Sequence, residues 1–312
     1  MERTIEDTRS LLEVIIQTIT AAVTTVVSLI GNSLVCVAFY RNRRLRTVTN
    51  FYVLSLAIAD LTVASLVYPF STIASGFRRW PFSHNFCQFS GFLVYYWAQV
   101  SLCILALTSI NRYFCVVKPH RYATFFTRKK TALSIFSVWI FLFVFYLTFT
   151  FTFPVVSGWD PYGFHCRGMS LNQHKDRILY VFYASFFSVS MSMVLFGYGS
   201  VYRVVRHHNA FITPSLQASS DHATIRAQDI KASRLLFAAV LGFFVCWTPL
   251  SVSFLLRFGC DISIPVVGQS LCAMFTTFSA WINPVIYGAL NPAMRKEFRN
   301  ILIKNLLCRK GE

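Results

Sequence analysis

The chain has 312 residues, of which 55% are hydrophobic and 13% are charged, and its formal net charge is +17. Soluble domains carry about 25% charged residues, so this composition excludes an ordinary soluble domain and indicates a membrane protein. The connections between its long apolar stretches are short, which leaves no room for a separate soluble catalytic domain. Enzymatic function is therefore not expected.

Apolar stretches recur along the chain at the length that crosses a bilayer. A membrane-spanning α-helix needs roughly 20 mostly apolar residues. By that rule we predict an all-α membrane protein, a bundle of seven transmembrane helices named span one to span seven. Their predicted ranges are 14–40, 50–77, 86–117, 131–155, 178–205, 232–256 and 264–289. After Asn291-Pro292 apolar and basic residues interleave, which predicts a short amphipathic eighth helix along the membrane surface.

Basic residues concentrate on one side of the predicted bundle. The connections after spans one, three and five, and the tail after span seven, carry most of the lysines and arginines. This asymmetry places that side in the cytoplasm, with residues 1–13 outside the cell, residues 14–289 as the membrane domain and residues 290–312 as a cytoplasmic tail. We expect a multi-pass plasma-membrane protein whose basic side faces anionic lipid and a cytosolic protein. A nucleic-acid partner is not expected, because no basic patch has a folded module of its own.

A single carboxylate, that of Asp60 in span two, lies deep in the apolar segments. A charged side chain there is costly unless it is paired or hydrated, so Asp60 is a candidate functional residue. Asn32 of span one, Ser101 of span three and Asn283 of span seven are its predicted neighbours. Together they offer enough oxygen atoms for a sodium ion with water, and no other cofactor is expected. The alternative is a protonated aspartate that acts only as a hydrogen-bonding group.

Span three ends on the cytoplasmic side with the triad Asn111-Arg112-Tyr113. The asparagine offers Arg112 a neutral hydrogen bond, which is about half as strong as the bond an acid would accept. Asp229, just before span six, is the predicted source of the missing negative charge. A pair between Arg112 and Asp229 would link spans three and six. The alternative is two separately solvated loop charges.

Pro249 of span six and Pro284 of span seven lie inside predicted helices. Proline in a helix interior removes a backbone hydrogen bond and kinks the helix, so both spans are predicted to bend near mid-depth. The bulky indole of Trp247 lies beside the first bend, and Tyr287 lies beyond the second. This arrangement favours a hinge that moves the inner end of span six. The alternative is a static kink that improves packing.

Cysteines on the outer side are candidates for disulfide bonds. Cys87 at the start of span three and Cys166 before span five lie where an oxidising exterior permits a bridge, which would hold the loop over the mouth of the bundle. Cys260 and Cys272 flank the last outer loop and offer a second pairing. Cys308, beyond the amphipathic tail, is either a palmitoylation site or a free thiol.

These motifs, in this order and spacing, resemble those of the rhodopsin-like (class A) G-protein-coupled receptors. The resemblance covers nearly the whole chain, and seven coordinated motifs are highly specific. Ser190 departs from the family pattern, which has proline eight residues before Tyr198 in span five. The matching motifs are Gly31-Asn32, Asp60 after Leu56-Ala57-Ile58-Ala59, the Cys87 and Cys166 pair, Asn111-Arg112-Tyr113, Trp139, Cys246-Trp247-Thr248-Pro249 and Asn283-Pro284-x-x-Tyr287.

Within that family the chain resembles the melatonin receptors. Two positions depart from them, because Pro284 stands where they typically have alanine and Phe149 where they place a ligand-contacting asparagine. The departures argue against melatonin itself as the ligand. The similarity lies in Tyr40-Arg41-Asn42 with Leu45-Arg46, residues 87–93, the Asn111-led triad, Gln228-Asp229 and residues 295–299.

The resemblance implies an extracellular small-molecule ligand and a heterotrimeric G protein as partners. Amine receptors of the family carry aspartate where Val94 stands, and opsins carry lysine where Thr277 stands, so neither a paired amine nor a retinal Schiff base is expected. The remaining lining is aromatic with a few hydroxyls and one amide, which suits a neutral aromatic or lipid-like molecule. The implied pocket residues are Val94, Tyr95, Ala98, Gln99, Phe182, Tyr183, Phe186, Leu250, Ser251, Phe254, Ala273 and Thr277. The implied switch and G-protein coupling residues are Asn111, Arg112, Tyr113, Tyr198, Asp229, Trp247, Pro249, Asn283, Pro284 and Tyr287.

Other classes of membrane protein fit the sequence less well. A polytopic transporter is the alternative function, but its two halves would usually show a repeat, and no convincing repeat is present. A channel or pump requires a file of polar groups inside the membrane. A membrane enzyme requires histidines, cysteines and acids grouped in the spans, where the sequence has none with ligand spacing.

Overall fold

The computed structural model describes residues 7–152, 156–169, 173–211, 220–260, 262 and 264–308. Seven long helical segments form the bundle, and we number the spans as in the sequence. Spans one to three are α1 (Leu11–Arg41), α2 with α3 (Val48–Leu66 and Tyr68–Phe77) and α4 (His84–Val117). A short helix, α5 (Pro119–Phe125), precedes span four, α6 (Arg128–Thr152). A hairpin of β1 (Val156–Asp160) and β2 (His165–Met169) then leads to spans five to seven, α7 (Gln173–Phe211), α8 (Ser220–Phe254) and α9 (Val266–Leu290), and to α10 (Pro292–Cys308).

The predicted seven-helix bundle with an eighth helix is confirmed. Six of the described helices are long and apolar enough to cross a membrane. The seventh, α9, is more polar, and several of its polar side chains are buried between helices, among them Ser270, Ser279 and Asn283. The largest differences in length are at α7 and α8, which continue to Phe211 and from Ser220, beyond the predicted ends at 205 and 232. Neither extension contains proline or glycine, so no residue there stops the helix.

Span two is broken, which the sequence analysis did not predict. Its helix ends at Leu66 and resumes at Tyr68, with Val67 between them at φ −121° and ψ −59°. Pro69 has no amide hydrogen to donate to the preceding turn, so the hydrogen-bond ladder cannot continue through it. The predicted span is therefore confirmed over Val48–Phe77, but its helix is interrupted at Val67.

A two-stranded antiparallel hairpin lies on the face that the charge distribution assigns to the exterior, which we call the outer face. Asp160 pairs with His165 next to its turn. The predicted disulfide between Cys87 and Cys166 is present and ties β2 to the start of α4. Cys260 and Cys272 are both free thiols, so the second predicted pairing is not formed. Gly91 permits close approach of the hairpin, since a Cβ there would lie 2.6 Å from the carbonyl oxygen of Cys166.

The apolar core runs through the centre of the bundle, with α4 as its middle helix. Side chains such as Leu56, Val100, Ile104 and Val240 are almost fully buried there. Large apolar residues on the outside of the bundle are exposed, including Leu133 at 67% and Phe141 in α6. Such side chains face lipid in a membrane protein, because the bilayer interior is as apolar as they are.

Candidate functional site

A cavity of about 1030 Å³ occupies the outer half of the bundle. Most of its lining is apolar or aromatic, and it continues inward as far as Asp60. Nine of the twelve implied pocket residues line it, together with Trp247 of the implied switch set. They are Val94, Tyr95, Ala98 and Gln99 of α4, Trp247, Leu250, Ser251 and Phe254 of α8, and Ala273 and Thr277 of α9.

The α7 wall of the cavity differs from the predicted one. Phe186 is directed toward span four, where its ring centroid lies 6.3 Å from that of Phe145. Phe187 and Ser188 line the cavity instead. The side chains of the two remaining predicted residues of this wall, Phe182 and Tyr183, lie outside the described part of the chain.

The loop that was predicted to lie over the mouth of the bundle is the β hairpin, and it forms a roof whose cavity-lining residues were not predicted. Asp160, Tyr162, Phe164 and His165 all line the cavity from above. His165 is held at both ring nitrogens, by the carbonyl oxygen of Gly163 at 2.6 Å and by the hydroxyl of Tyr95 at 3.3 Å. Local sequence signals could have found the turn, since Asp160-Pro161-Tyr162-Gly163 carries typical turn residues. Contact between the hairpin and the cavity is a long-range feature.

Asp160 stabilises the turn of this roof. Its Oδ1 accepts a hydrogen bond from the backbone N–H of Tyr162 at 3.0 Å, and the residue is 4% exposed. Carboxylates commonly fix turns in this way. The cavity roof therefore carries polar groups, whereas the walls below it are mainly apolar.

Trp247 lies at the level where the two proline-containing helices face each other. Its indole Nε1 donates to Ser279 Oγ of α9 at 3.2 Å, and its ring stacks on Phe243 with a centroid distance of 5.6 Å. Pro249 and Pro284 both lie inside helices, in α8 and α9. The indole thus connects the bend of span six to span seven.

Three of the four residues predicted around Asp60 meet in the inner part of the cavity. Asp60, Ser101 and Asn283 all line it. The Nδ2 of Asn283 donates to Asp60 Oδ2 at 3.4 Å. The Oδ1 of Asn283 is buried and has no hydrogen-bond partner among the described residues. The cluster therefore contains a carboxylate, a hydroxyl and an unused amide oxygen, the donor atoms that small hard cations bind.

Asn32, the fourth predicted residue, ties span one to span seven. Its Nδ2 donates to the carbonyl oxygen of Ala280 at 2.8 Å and to that of Ser28 at 3.0 Å. The adjacent Gly31 lets the two helices meet, since a Cβ there would lie 2.9 Å from Cβ of Pro284. Asn32 fixes the helix that carries Asn283, and it is not among the residues that line the cavity.

At the inner end of span three, Arg112 is buried at 2% exposure. Its Nε donates to Asn111 Oδ1 at 3.1 Å, and its Nη2 donates to the hydroxyl of Thr49 on α2. Asn111 in turn donates through Nδ2 to the hydroxyl of Tyr122 in α5 at 3.4 Å. Thr49 and Tyr122 are members of this network that the sequence analysis missed. The guanidinium is thus held by neutral oxygens.

The remaining predicted switch residues surround this network. Tyr113 packs against Phe196 of α7, with ring centroids 5.2 Å apart. Tyr198 and Tyr287 are buried, and neither hydroxyl has a hydrogen-bond partner among the described residues. The side chains of Asp229 and Cys308 lie outside the described part of the chain.

This architecture, a seven-helix membrane bundle with a roofed cavity in one half and a buried arginine in the other, is that of a membrane receptor. Residues 31–287 match the family model for the 7 transmembrane receptor (rhodopsin family). The chain therefore belongs to the rhodopsin family of seven-transmembrane receptors, whose members are receptors and not enzymes. The alternative of a transporter is not supported.

Individual relatives agree with this assignment. The chain is 30% identical to melatonin receptor type 1C of Gallus gallus, over 90% of this chain and 80% of the relative. It is 26% identical to octopamine receptor beta-2R of Drosophila melanogaster, over 89% of this chain but only 59% of that receptor's length. The crystal structure of squid rhodopsin has the same fold, with a TM-score of 0.83 over 97% of this chain and 89% of that chain at 21% identity.

Proposed function

We propose that this receptor senses a neutral aromatic or lipid-like small molecule outside the cell and activates a heterotrimeric G protein inside it. The observation that supports this most is the roofed cavity of about 1030 Å³ with mainly apolar and aromatic walls. Cavities of this size that offer a few placed polar groups are typical small-molecule sites. The basic connections of the chain support a plasma-membrane location with the amino terminus outside.

A neutral ligand is favoured over an amine by the charges around the cavity. Val94 provides no negative charge in the wall of span three, and the charged residues that line the cavity, Asp60, Asp160 and Arg257, lie elsewhere. Asp160 accepts a backbone hydrogen bond in the roof, and Asp60 lies at the inner end beside Asn283. None of the described lining residues is a lysine, so a Schiff base with retinal has no amine there.

For signal transfer we propose that the ligand shifts an existing equilibrium between two packings of the helices. Among the described residues, span six packs mainly on span seven and has less contact with spans three and five. We propose that its inner end moves away from span three in the active packing. That movement would free Arg112 and Tyr287 to frame a groove for the G protein. Exposed basic side chains near its rim include Arg203 and Arg206 of α7 and Arg121 before span four.

The proposed link between Arg112 and Asp229 is tested by removing the acid. We expect Asp229→Ala to raise ligand-independent G-protein activation, because the resting packing of spans three and six loses an attraction. The measurement is basal nucleotide exchange at matched surface expression. An unchanged basal level would dispose of this pair as a resting-state contact.

We further propose that Asp60, Ser101 and Asn283 bind a sodium ion that stabilises the resting state. Binding to the folded state raises stability by about 1.4 kcal/mol when the ion concentration is ten times its dissociation constant. We therefore expect purified receptor to melt several degrees higher in sodium chloride than in choline chloride of equal ionic strength. In Asp60→Asn this difference should vanish. Asp160→Asn removes the other cavity carboxylate, and in this variant the difference in melting temperature should remain. Loss of the difference in both variants contradicts a sodium site at Asp60.

The function itself is tested by measuring G-protein activation in cells that express the receptor. The panel contains neutral indoles including melatonin, lipids, octopamine as the amine comparison, and light. The proposal is supported if a neutral compound activates the receptor and if Ser251→Ala or Gln99→Ala weakens that activation. If octopamine is the only compound that activates the receptor, the ligand is not neutral. If the protein transports a solute in proteoliposomes and couples to no G protein, the proposed receptor function is wrong.

A further inference from the structure

The residues just before α1 fold back over the outer face. We call residues 7–10 the strap. Arg9 is 3% exposed although it lies outside the membrane helices. Its guanidinium donates to both carboxylate oxygens of Asp7, at 2.8 and 2.6 Å, to Gln17 Oε1 at 2.5 Å and to Ser75 Oγ at 3.1 Å. A buried arginine with this many partners holds its segment in one position.

The strap is fixed at both of its ends. Arg78, at the end of α3, lies 3.5 Å from the carboxylate of Asp7 and also donates to the backbone carbonyl of Arg9. On the other side, Ser10 caps α1 in a reciprocal pair with Glu13. The strap thus joins the outer ends of spans one and two through charged and buried bonds.

The strap also reaches the roof of the cavity. The backbone N–H of Thr8 donates to the hydroxyl of Tyr162 at 3.0 Å, and the two hydroxyls lie 2.8 Å apart. Tyr162 stands in the turn of the hairpin, is 7% exposed and lines the cavity. The disulfide fixes the hairpin at Cys166 in β2, whereas the strap fixes it at the turn.

The ionic part of the strap persists at physiological pH. Partial burial raises the pKa of Asp7, but hydrogen bonds from Arg9 and the positive charges of Arg9 and Arg78 outweigh it, so its pKa is lowered. A carboxylate whose pKa is lowered on folding contributes its full stabilisation above its ordinary pKa of about 4 and loses it only as the pH falls through the lowered value. Between pH 6 and 8 the contact is therefore constant.

We propose that the strap holds the turn of the hairpin down over the cavity, so that opening of the strap speeds the exchange of external water with the cavity. The claim concerns access to the cavity. It is independent of the ligand class and of G-protein coupling, and its failure would leave both proposals above untouched.

The test measures how fast a water-soluble reagent reaches the cavity. A cysteine at the lining position, Ala98→Cys, is placed in full-length receptor with Cys260→Ser and Cys272→Ser, and intact cells are treated with a membrane-impermeant cationic thiosulfonate. We expect Arg9→Ala and Asp7→Asn to raise the labelling rate at position 98 at least tenfold. Arg79→Ala removes a neighbouring exposed arginine that the strap does not use and should leave the rate unchanged.

Two further measurements separate opening of the roof from general unfolding. Labelling of the exposed native Cys260, in receptor without the Ala98 substitution, should have the same rate with and without Arg9→Ala. Tyr162→Phe removes only the hydroxyl that Thr8 binds, and we expect a three- to tenfold faster labelling at position 98 with unchanged thermal stability of the bundle. Thr8→Val added to Tyr162→Phe should then have no additional effect, because both act on one contact. If Arg9→Ala and Tyr162→Phe are both labelled at position 98 as slowly as the receptor without these substitutions, the proposal is wrong.

Discussion

Gly197→Ala is expected to destabilise the receptor and reduce its signalling, because span five has no space for a side chain at this position. A Cβ at Gly197 would overlap Ser109 Oγ and lie 2.9 Å from the carbonyl oxygen of Ser109. The hydroxyl can rotate, but the backbone oxygen cannot, so α7 has to move away from α4. Ser109 Oγ also donates to the carbonyl oxygens of Met193 and Val194 at 3.2 and 3.3 Å, bonds which that movement would break. Overpacking of this kind costs about 1–3 kcal/mol.

A second glycine of the same helix, Gly199, provides a control in which alanine is expected to raise stability. At Gly199 no atom of another helix in the described part of the chain lies within 4 Å of the place that a Cβ would occupy, so alanine fits there. Glycine in a helix interior is less stable than alanine by about 0.5–1 kcal/mol, and Gly199→Ala should therefore raise the melting temperature slightly. The measurements are thermal unfolding of purified receptor and G-protein activation at matched expression. Equal effects of the two substitutions would show that α7 is not in close contact with α4 at Gly197.

This close contact lies seven residues beyond the position where the family pattern has proline. Ser190 stands there instead and is buried at 4% exposure. The described α7 continues as one helix from Gln173 to Phe211. The sequence left the shape of span five open. The pairing of Gly197 with Ser109 gives span five a fixed position against span three without that proline.

Features with a local signal were predictable from the sequence. Runs of apolar residues at membrane length gave all seven spans, and the outer positions of Cys87 and Cys166 gave the disulfide. Asp60 and Asn283 were expected to be neighbours, and they are 3.4 Å apart. A buried carboxylate needs a partner, and few polar residues of the spans can serve as one.

Features that depend on contacts between distant residues were not predictable. Arg9 is one of several charges near the amino terminus, and nothing in its local sequence indicates that it is buried against Ser75. The disulfide indicated that a loop lies over the mouth of the bundle, but not which residues of the hairpin would line the cavity. Among the pocket residues, the helical period set most of the inward faces correctly. It did not separate Phe186 from Phe187, because a small rotation of a helix exchanges adjacent side chains at the edge of its inner face.

Asn111→Asp is expected to lower ligand-independent activation, because the network that holds Arg112 is neutral and would gain a negative charge. In Asn111→Asp the two nitrogens that donate to Asn111 Oδ1 would instead face a carboxylate. Bonds to a charged acceptor contribute about 1.5–3 kcal/mol, compared with about 0.5–1.5 kcal/mol for neutral pairs. A gain of about 1 kcal/mol in the resting packing corresponds to roughly fivefold lower ligand-independent activation. Tyr122 can rotate its hydroxyl to donate to the new carboxylate, so no buried group loses its partner.

Thr49→Val provides the opposite test on the same guanidinium. Valine has the shape of threonine without the oxygen that accepts from Arg112 Nη2, so Arg112 is held less firmly in the resting packing. We expect ligand-independent activation to rise in Thr49→Val and to fall in Asn111→Asp, with maximal activation by an added agonist retained in both. If the network only supports the fold, both substitutions would shift the melting temperature and leave the ratio of basal to maximal activation unchanged. Opposite shifts of that ratio would show that the bonds of Arg112 differ between the resting and active packings, as the proposed role of Arg112 in the switch requires.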